Sequence, residues 1–348
     1  MRLAFYAPLK PPAHPVPSGD RAMARSLMAA LTHLGANVDL AATLRSRDGA
    51  GDAVVQARMI TEAKALIPSI IANGRAAGWQ GWITYHTYYK APDLIGPAVA
   101  RALKIPYLTI EATRAKKRLG GPWDVFARAA EDACDAADLA FYLTARDREA
   151  LLAYAPPHQQ HIHLRPFLPR CDLPVMAKGA HLLAVGMMRA AAKLGSYQLI
   201  AQTMALLPNE ATLEIAGDGP VRSQVEALMV PFGTRVKFLG ALNKDELETA
   251  YARAGALIWP GVDEAFGLTY LEAQAHGLPV IAQDRPGVRD VLFPRSYPSV
   301  DQGATGLADL ASTPPPSQDA IRDHIRKFHL LPAAAATLRD GLQKVGIT

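Results

Sequence analysis

Cysteine is nearly absent: the 348 residues hold two, Cys134 and Cys171, far apart and in no CxxC pair. That excludes a disulfide framework and a four-cysteine zinc site, and it fits a reducing, cytoplasmic setting. No apolar run approaches the roughly 20 residues needed to span a bilayer, because Pro, Asn or Gln interrupts the longest uncharged stretches, as between 194 and 209. The opening apolar segment, 1–7, is too short for a secretion signal and runs into Pro8, Lys10, Pro11 and Pro12, so it is expected as a first strand. Low-complexity tracts and short-period repeats are missing as well. Nor does one sign of charge dominate, since 37 Lys+Arg against 32 Asp+Glu leave +5. That falls well short of the basic stripe of a nucleic-acid binder, while permitting an anionic substrate or membrane surface.

Half of the residues are hydrophobic and a fifth are charged, the composition of a globular chain. The length predicts two domains, since single cores stop growing at roughly 250–300 residues. Short β-branched or aromatic runs at 3–7, 36–41, 82–86, 107–111, 139–143 and 161–164 alternate with segments of helical period at 20–34, 52–75, 92–103, 124–137 and 145–154. This is the pattern of a parallel sheet with helices on both faces. Pro68 is expected to kink or split the second helix. The rhythm stops over 165–179, where Pro166, Pro169 and Pro174 fall. It resumes with strands at 181–186, 211–216, 235–239, 256–259 and 279–282 and helices at 195–207, 221–229, 244–253, 268–276 and 288–292. A proline run at 314–316 precedes a helical tail interrupted at Pro332. The expected organisation is two α/β units, 1–172 and 173–317, and a tail, 318–348.

Ligands of open parallel sheets bind beyond the carboxyl ends of the strands. The most informative such place is 260–282, which reads as a strand end, an acidic loop with Glu264, Gly267 at a helix start, Glu272 inside the helix and a stop at Gly277. Gly267 admits a ligand to the backbone, and the free N–H groups of a first helical turn hold phosphate. Two carboxylates suit sugar hydroxyls. The same glutamates also read as a helix cap and a solvated helix residue.

Glu264, Phe266-Gly267-Leu268, Leu271-Glu272-Ala273, Gly277 and Pro279-Val280-Ile281-Ala282 together resemble the E-x7-E motif of retaining glycosyltransferases of family 4, the group 1 sugar transferases of the GT-B fold. The implied architecture is α/β, with two Rossmann-like domains facing across a cleft and the C-terminal helical tail returning to the N-terminal domain. The resemblance implies that Glu272 holds the ribose of a nucleotide-sugar donor and that Glu264 lies by the donor sugar, with Phe266, Gly267 and Leu268 beside them. It implies that Arg189 and Lys193, after the strand-ending Gly186, neutralise the donor diphosphate; Arg189 stands three residues beyond Gly186, where the family has its arginine at once. Asp218, in Gly217-Asp218-Gly219-Pro220, and Gly240 match turns next to the nucleotide. On physics alone the first of these is a tight turn with Asp218 as its capping residue.

In the first half, Gly19 stands for the family's Gly-rich loop against the diphosphate, a plain Ser18 N-cap being the other reading. His86 ends a strand where relatives keep a histidine near donor sugar and acceptor; a structural histidine is the alternative. No Asp or Glu in this half presents itself as an inverting general base, in keeping with retention. Arg114, Lys116, Lys117 and Arg118 form a separate basic cluster. It reads either as a solvated loop or as a contact to an acceptor phosphate or anionic membrane, with Leu119, Pro122 and Trp123 as interfacial neighbours. Residues 1–172 carry 21 of the Lys+Arg and 15 of the Asp+Glu, so the positive excess belongs to this half.

The implied function is retaining sugar transfer from a nucleotide-sugar to a hydroxyl acceptor by front-face attack, with no metal, no further cofactor and no nucleic-acid partner. A catalytically inactive binding or scaffold protein of the same shape and a sugar-nucleotide epimerase are the other classes left open. Donor base, sugar and acceptor are set by variable loops.

Overall fold

In the computed structural model, which describes residues 1–16 and 18–348, the chain builds two parallel sheets. The first contains β1 (Arg2–Tyr6), β2 (Asn37–Leu40), β3 (Gly81–Tyr85), β4 (Tyr107–Ile110), β5 (Leu139–Tyr142) and β6 (Gln160–His163), in the order β2-β1-β3-β4-β5-β6. β3 and β4 are buried along their whole length, as a doubly covered parallel sheet requires of runs such as Trp82-Ile83-Thr84-Tyr85. The covering helices are α1 (Gly19–His33), α2 (Ala53–Ala77), α3 (Gly96–Leu103), α4 (Asp124–Ala136) and α5 (Ala145–Leu152).

Two expectations are corrected here. α2 is not split at Pro68. The proline lies on the exposed side, where the carbonyl that loses its partner is hydrated, while Ala63, Ile70 and Gly74 hold both halves of the helix inward. α3 starts at Gly96 rather than at 92, because the buried Asp93 carboxylate turns back to accept from Ile95 N (2.9 Å) and Gly96 N (2.7 Å). The hydroxyl of Tyr107 donates to the same carboxylate at 2.9 Å.

The second sheet has β7 (Leu182–Val185), β8 (Leu213–Ala216), β9 (Val236–Gly240), β10 (Ala256–Ile258) and β11 (Val280–Ile281), in the order β11-β10-β7-β8-β9. Its helices are α6 (Ala192–Leu206), α7 (Arg222–Met229), α8 (Lys244–Arg253), α9 (Leu268–Ala275), α10 (Gly303–Ser312) and α11 (Gln318–Phe328). An Asn243–Glu246 capping box starts α8 at the expected residue. α10, a Gly- and Ala-rich helix packed on α6, has no counterpart in the sequence reading, and the helix expected at 288–292 is a single 3₁₀ turn, Val288–Asp290.

The chain divides into Met1–Arg165 with Leu331–Thr348 and Pro166–Leu330. α12 (Leu331–Lys344) packs on α1, whereas α11 packs on α9. The segment expected as one tail is thus shared between the units. Residues just after 165 join the second unit through His329 Nδ1, which lies 2.7 Å from Pro166 O, and through pairing of Leu168 with Leu330. No helix among the described residues is long and apolar enough to cross a membrane.

Candidate active site

The strand order of the second unit reverses between β7 and β10, so the loops after these two strands open at a topological switch point, where such sheets bind ligands. Lys193 stands in the first turn of α6, which follows β7, and Glu264 in the loop after β10. Lys193 Nζ donates to Glu264 Oε1, and Trp259 Nε1 donates to the same oxygen at 2.9 Å. The ammonium also lies 5.1 Å from the Trp259 ring centroid, within cation–π range. Tyr197 fixes the indole edge-on at 5.3 Å and donates its hydroxyl to Gly186 O at 2.7 Å, while the Tyr270 hydroxyl holds Trp259 O at 3.0 Å. The pair is half-shielded from water, with 27 % and 15 % of the Lys193 and Glu264 side chains exposed.

A cavity of about 350 Å³ opens beside this pair, lined among others by Gly186, Lys193, Asp218, Leu242, Thr269 and Glu272. Glu272 is held by the Tyr251 hydroxyl, which donates to Oε2 at 2.9 Å. Burial raises the Glu272 pKa; the Tyr251 bond offsets part of that rise and the Glu248 charge adds to it. No side chain caps α9 or α6; Leu194 N donates to Arg189 O and Tyr270 N to Gly267 O, which leaves the first two N–H groups of each helix for a ligand.

Glycine is required at two turns of this wall. Gly217 sits at φ 148°, and a Cβ there would lie 1.9 Å from Gly186 O. Its N–H donates to Gly240 O at 2.8 Å and Met188 N donates to Asp218 O at 2.9 Å, which together tie the turns after β7, β8 and β9. Gly267, at φ 79°, occupies the N-cap position of α9 with the Tyr270 ring 2.8 Å from where its Cβ would be.

The structure therefore gathers Gly186, Lys193, Asp218 and Glu272 around one space, with Gly240 in the adjoining turn. Glu264 reaches it through Lys193, and Gly267, half-buried Leu268 and buried Phe266 form the loop and helix start beside it. Asp218 is largely engaged locally, accepting from Gly219 N at 2.7 Å and Arg222 at 3.2 Å. Arg189 is exposed on its loop and is not brought to the cavity. Trp259, Tyr251 and Tyr197 were not singled out from the sequence; the signal available was an aromatic residue at or near each strand or helix end.

In the first unit Ser18 Oγ caps α1 by accepting from Arg21 N at 3.2 Å, and a Cβ on the exposed Gly19 would touch nothing within 4 Å. The N-cap accounts for this pair without any demand for glycine. His86 directly follows β3 and Glu111 directly follows β4, and both hold left-handed backbones, at φ 57° and 58°. His86 Nδ1 lies 3.0 Å from Asp20 Oδ1, on α1, and 3.9 Å from Glu111 Oε1. Burial works against a charged His86, but Glu111, Asp20 and Asp147 outweigh it and carry its pKa up to about 9. Burial pushes Glu111 up to about 7, with His86 restraining the rise. Asp20 and Glu111 are carboxylates that the sequence reading passed over in this half.

Arg114 is corrected. Its side chain is 1 % exposed and pairs with Glu131 Oε2 at 2.8 Å and Asp135 Oδ1 at 2.6 Å, so it is an internal strut of α4 and not part of a surface cluster. Lys116, Lys117 and Arg118 are exposed in a short 3₁₀ turn. Arg118 lies over Tyr89 (5.0 Å) and Trp123 (5.8 Å), and Lys116 over Tyr154 (3.9 Å).

Residues 179–326 match the family described as "Glycosyl transferases group 1". Sulfoquinovosyl transferase SQD2 of Arabidopsis thaliana is 37 % identical over 112 residues, which are 32 % of this chain and 20 % of that protein. A GDP-mannose-dependent alpha-mannosyltransferase of Mycolicibacterium smegmatis is 36 % identical over 86 residues, 25 % of this chain and 22 % of that protein. This chain thus spans about a fifth of the length of these relatives. Among solved structures, sucrose-phosphate synthase from Thermosynechococcus elongatus superposes with a TM-score of 0.71 at 18 % identity, covering 99 % of this chain and 98 % of that one. Anabaena HepE in complex with UDP and glucose gives 0.62 at 13 % identity, covering 99 % and 100 %. Both likenesses show the fold, that of the GT-B glycosyltransferases.

Proposed function

We propose, from the match of residues 179–326 to the group 1 glycosyltransferases, that the chain transfers a sugar from a nucleotide-sugar donor to a hydroxyl acceptor with retention of configuration. The observation that carries the proposal is the convergence of Lys193, Glu272 and two uncapped helix starts on one cavity at the β7/β10 switch point. In this reading Glu272 accepts ribose hydroxyls. Lys193 and the open N–H groups of α6 and α9 bind the diphosphate and stabilise the charge that grows on it as its bond to the sugar breaks. Glu264 keeps the ammonium in place.

The acceptor hydroxyl forms its bond to the anomeric carbon on the face the diphosphate leaves, and the departing phosphate oxygen takes the hydroxyl proton. Cationic side chain and backbone supply the neutralisation, so no metal is needed for the step and EDTA leaves the rate unchanged. The acceptor is assigned to the first unit. A cytoplasmic setting belongs to the proposal, supported by two cysteines that are both free.

HepE was crystallised with UDP and glucose, which makes UDP and its sugars the first donors to test, with GDP, ADP and theirs beside them. A ligand at a hundred times its dissociation constant stabilises by about 2.7 kcal/mol, well within reach of a thermal-shift panel. Binding that Glu272→Ala weakens supports the proposal. No shift with any nucleotide contradicts it. Product analysis then decides between classes: nucleoside diphosphate release marks a transferase, an altered donor sugar an epimerase, and tight binding with neither an inactive binding protein.

A further inference from the structure

The first unit holds an unfilled hydrogen-bonding group at the carboxyl end of its sheet, one strand beyond the switch point between β1 and β3. Glu111 is 8 % exposed, and its Oε2 is buried with no hydrogen-bond partner. A carboxylate oxygen in that state lacks a donor, and buried polar groups are rarely left so without a reason. The groups around it are Asp20 from α1, His86 from the end of β3, Asp147 from α5, Lys10 from the loop after β1, which faces Asp20, and Tyr85 from β3, whose hydroxyl bonds the carboxylate and leaves Oε2 without a donor. Tyr88 stacks at a tilt on His86 at 5.2 Å. Carboxylates outnumber cations here, His86 is already matched by Asp20 and Glu111, and Arg47, the further cation nearby, is engaged by the Tyr88 hydroxyl. An anionic ligand finds no unmatched positive charge among these groups, whereas an O–H finds a waiting acceptor. Two adjacent strand ends with left-handed non-glycine residues fix the arrangement in the backbone.

We propose that Glu111 accepts a hydroxyl of the acceptor substrate, positioned by His86 and Asp20, and that this unit takes a neutral polyhydroxylated acceptor rather than a phosphorylated or carboxylated one. The word acceptor rests on the transferase reading above. The balance of charges agrees: His86 remains an imidazolium through neutral pH, and Glu111 ionises near neutrality.

The test uses the full chain saturated with whichever nucleoside diphosphate it binds. Saturation-transfer NMR is recorded with methyl α-glucopyranoside and methyl α-mannopyranoside as neutral probes and glucose 6-phosphate as the anionic one. At least one glycoside receives saturation, the phosphate does not, and Glu111→Gln reduces the transfer fivefold or more with the nucleotide thermal shift intact. Equal or better binding of the phosphate, absence of glycoside binding, or glycoside binding unaltered in Glu111→Gln overturns the proposal. A second readout needs no sugar: the His86 imidazole ¹⁵N shifts are those of an imidazolium at pH 7.5, and Glu111→Gln lowers the titration midpoint by about one unit. A neutral imidazole at that pH, or an unmoved midpoint, also overturns it. Absence of any nucleotide shift in the unaltered chain would instead remove the transferase reading.

Discussion

Lys193 and Glu264, 71 residues apart in sequence, share one hydrogen bond whose carboxylate oxygen also accepts from Trp259. The ammonium is thereby fixed at the mouth of the cavity instead of wandering in solvent. Preorganised charge of this kind is where transferases gain rate. Lys193→Ala is expected to lower kcat for nucleoside diphosphate release by about 100-fold, with a smaller change in donor KM. Glu264→Gln keeps a partner for Trp259 but loses the charge that holds Lys193, and its kcat falls between the two. Steady-state rates at saturating donor check both.

In the proposed reading, Glu272 sets the pH dependence of donor binding. Burial raises its pKa and the Tyr251 hydroxyl lowers it, since that bond favours the ionised carboxylate. As pH falls through the raised pKa, the carboxylate gains a proton and its contacts to ribose weaken. Tyr251→Phe removes the opposing effect, so the acid limb of donor affinity moves to higher pH. Glu272→Ala weakens donor binding about tenfold at neutral pH. Titration calorimetry across the acid range measures both; an acid limb that stays in place in Tyr251→Phe contradicts the assignment.

Gly217 has no room for a side chain, because its Cβ would meet Gly186 O at 1.9 Å. Gly217→Ala should cost about 1–3 kcal/mol and widen the turns that line the cavity, so both the melting temperature and nucleotide binding fall. Gly19→Ala meets nothing within 4 Å and should leave both unchanged.

Arg114 and its neighbours in sequence part company in stability. Removing Arg114 leaves Glu131 buried and unpaired, at an expected cost of about 3 kcal/mol, whereas Lys116→Ala or Lys117→Ala stays within about 0.5 kcal/mol. Urea denaturation separates the two outcomes. The proposed contact with an anionic membrane rests on Lys116, Lys117 and Arg118 alone, each contributing about 1 kcal/mol near such a surface. Reversing all three to Glu should abolish flotation with phosphatidylglycerol vesicles, and unchanged flotation removes the membrane from the account.

Much of the second unit is legible in the sequence because its signals are local. Glycine turns, the Asn243 capping box and the run from Glu264 to Ala282 each declare themselves within a few residues. What stays hidden is long-range. Nothing near Arg114 says that Glu131 and Asp135 will bury it, since those acids arrive about one helical turn apart on α4 from another part of the chain. Asp20 and Glu111 look like an ordinary first-turn acid and a strand end until parallel pairing of β1, β3 and β4 sets them beside His86. α10 escapes because Gly-Ala-Thr-Gly carries little apolar period; packing on α6 makes it a helix. Arg189 differs from these. Its residue type suggests a phosphate ligand, but Met188 takes the buried place in the loop and leaves the arginine in solvent.

The most direct test of the central claim is nucleoside diphosphate release from a panel of sugar nucleotides, measured for the unaltered chain and Lys193→Ala in the presence of EDTA. The account predicts slow release from at least one donor by the unaltered chain and about 1 % of that rate in the variant. No release from any donor, or equal rates in the two proteins, would contradict it.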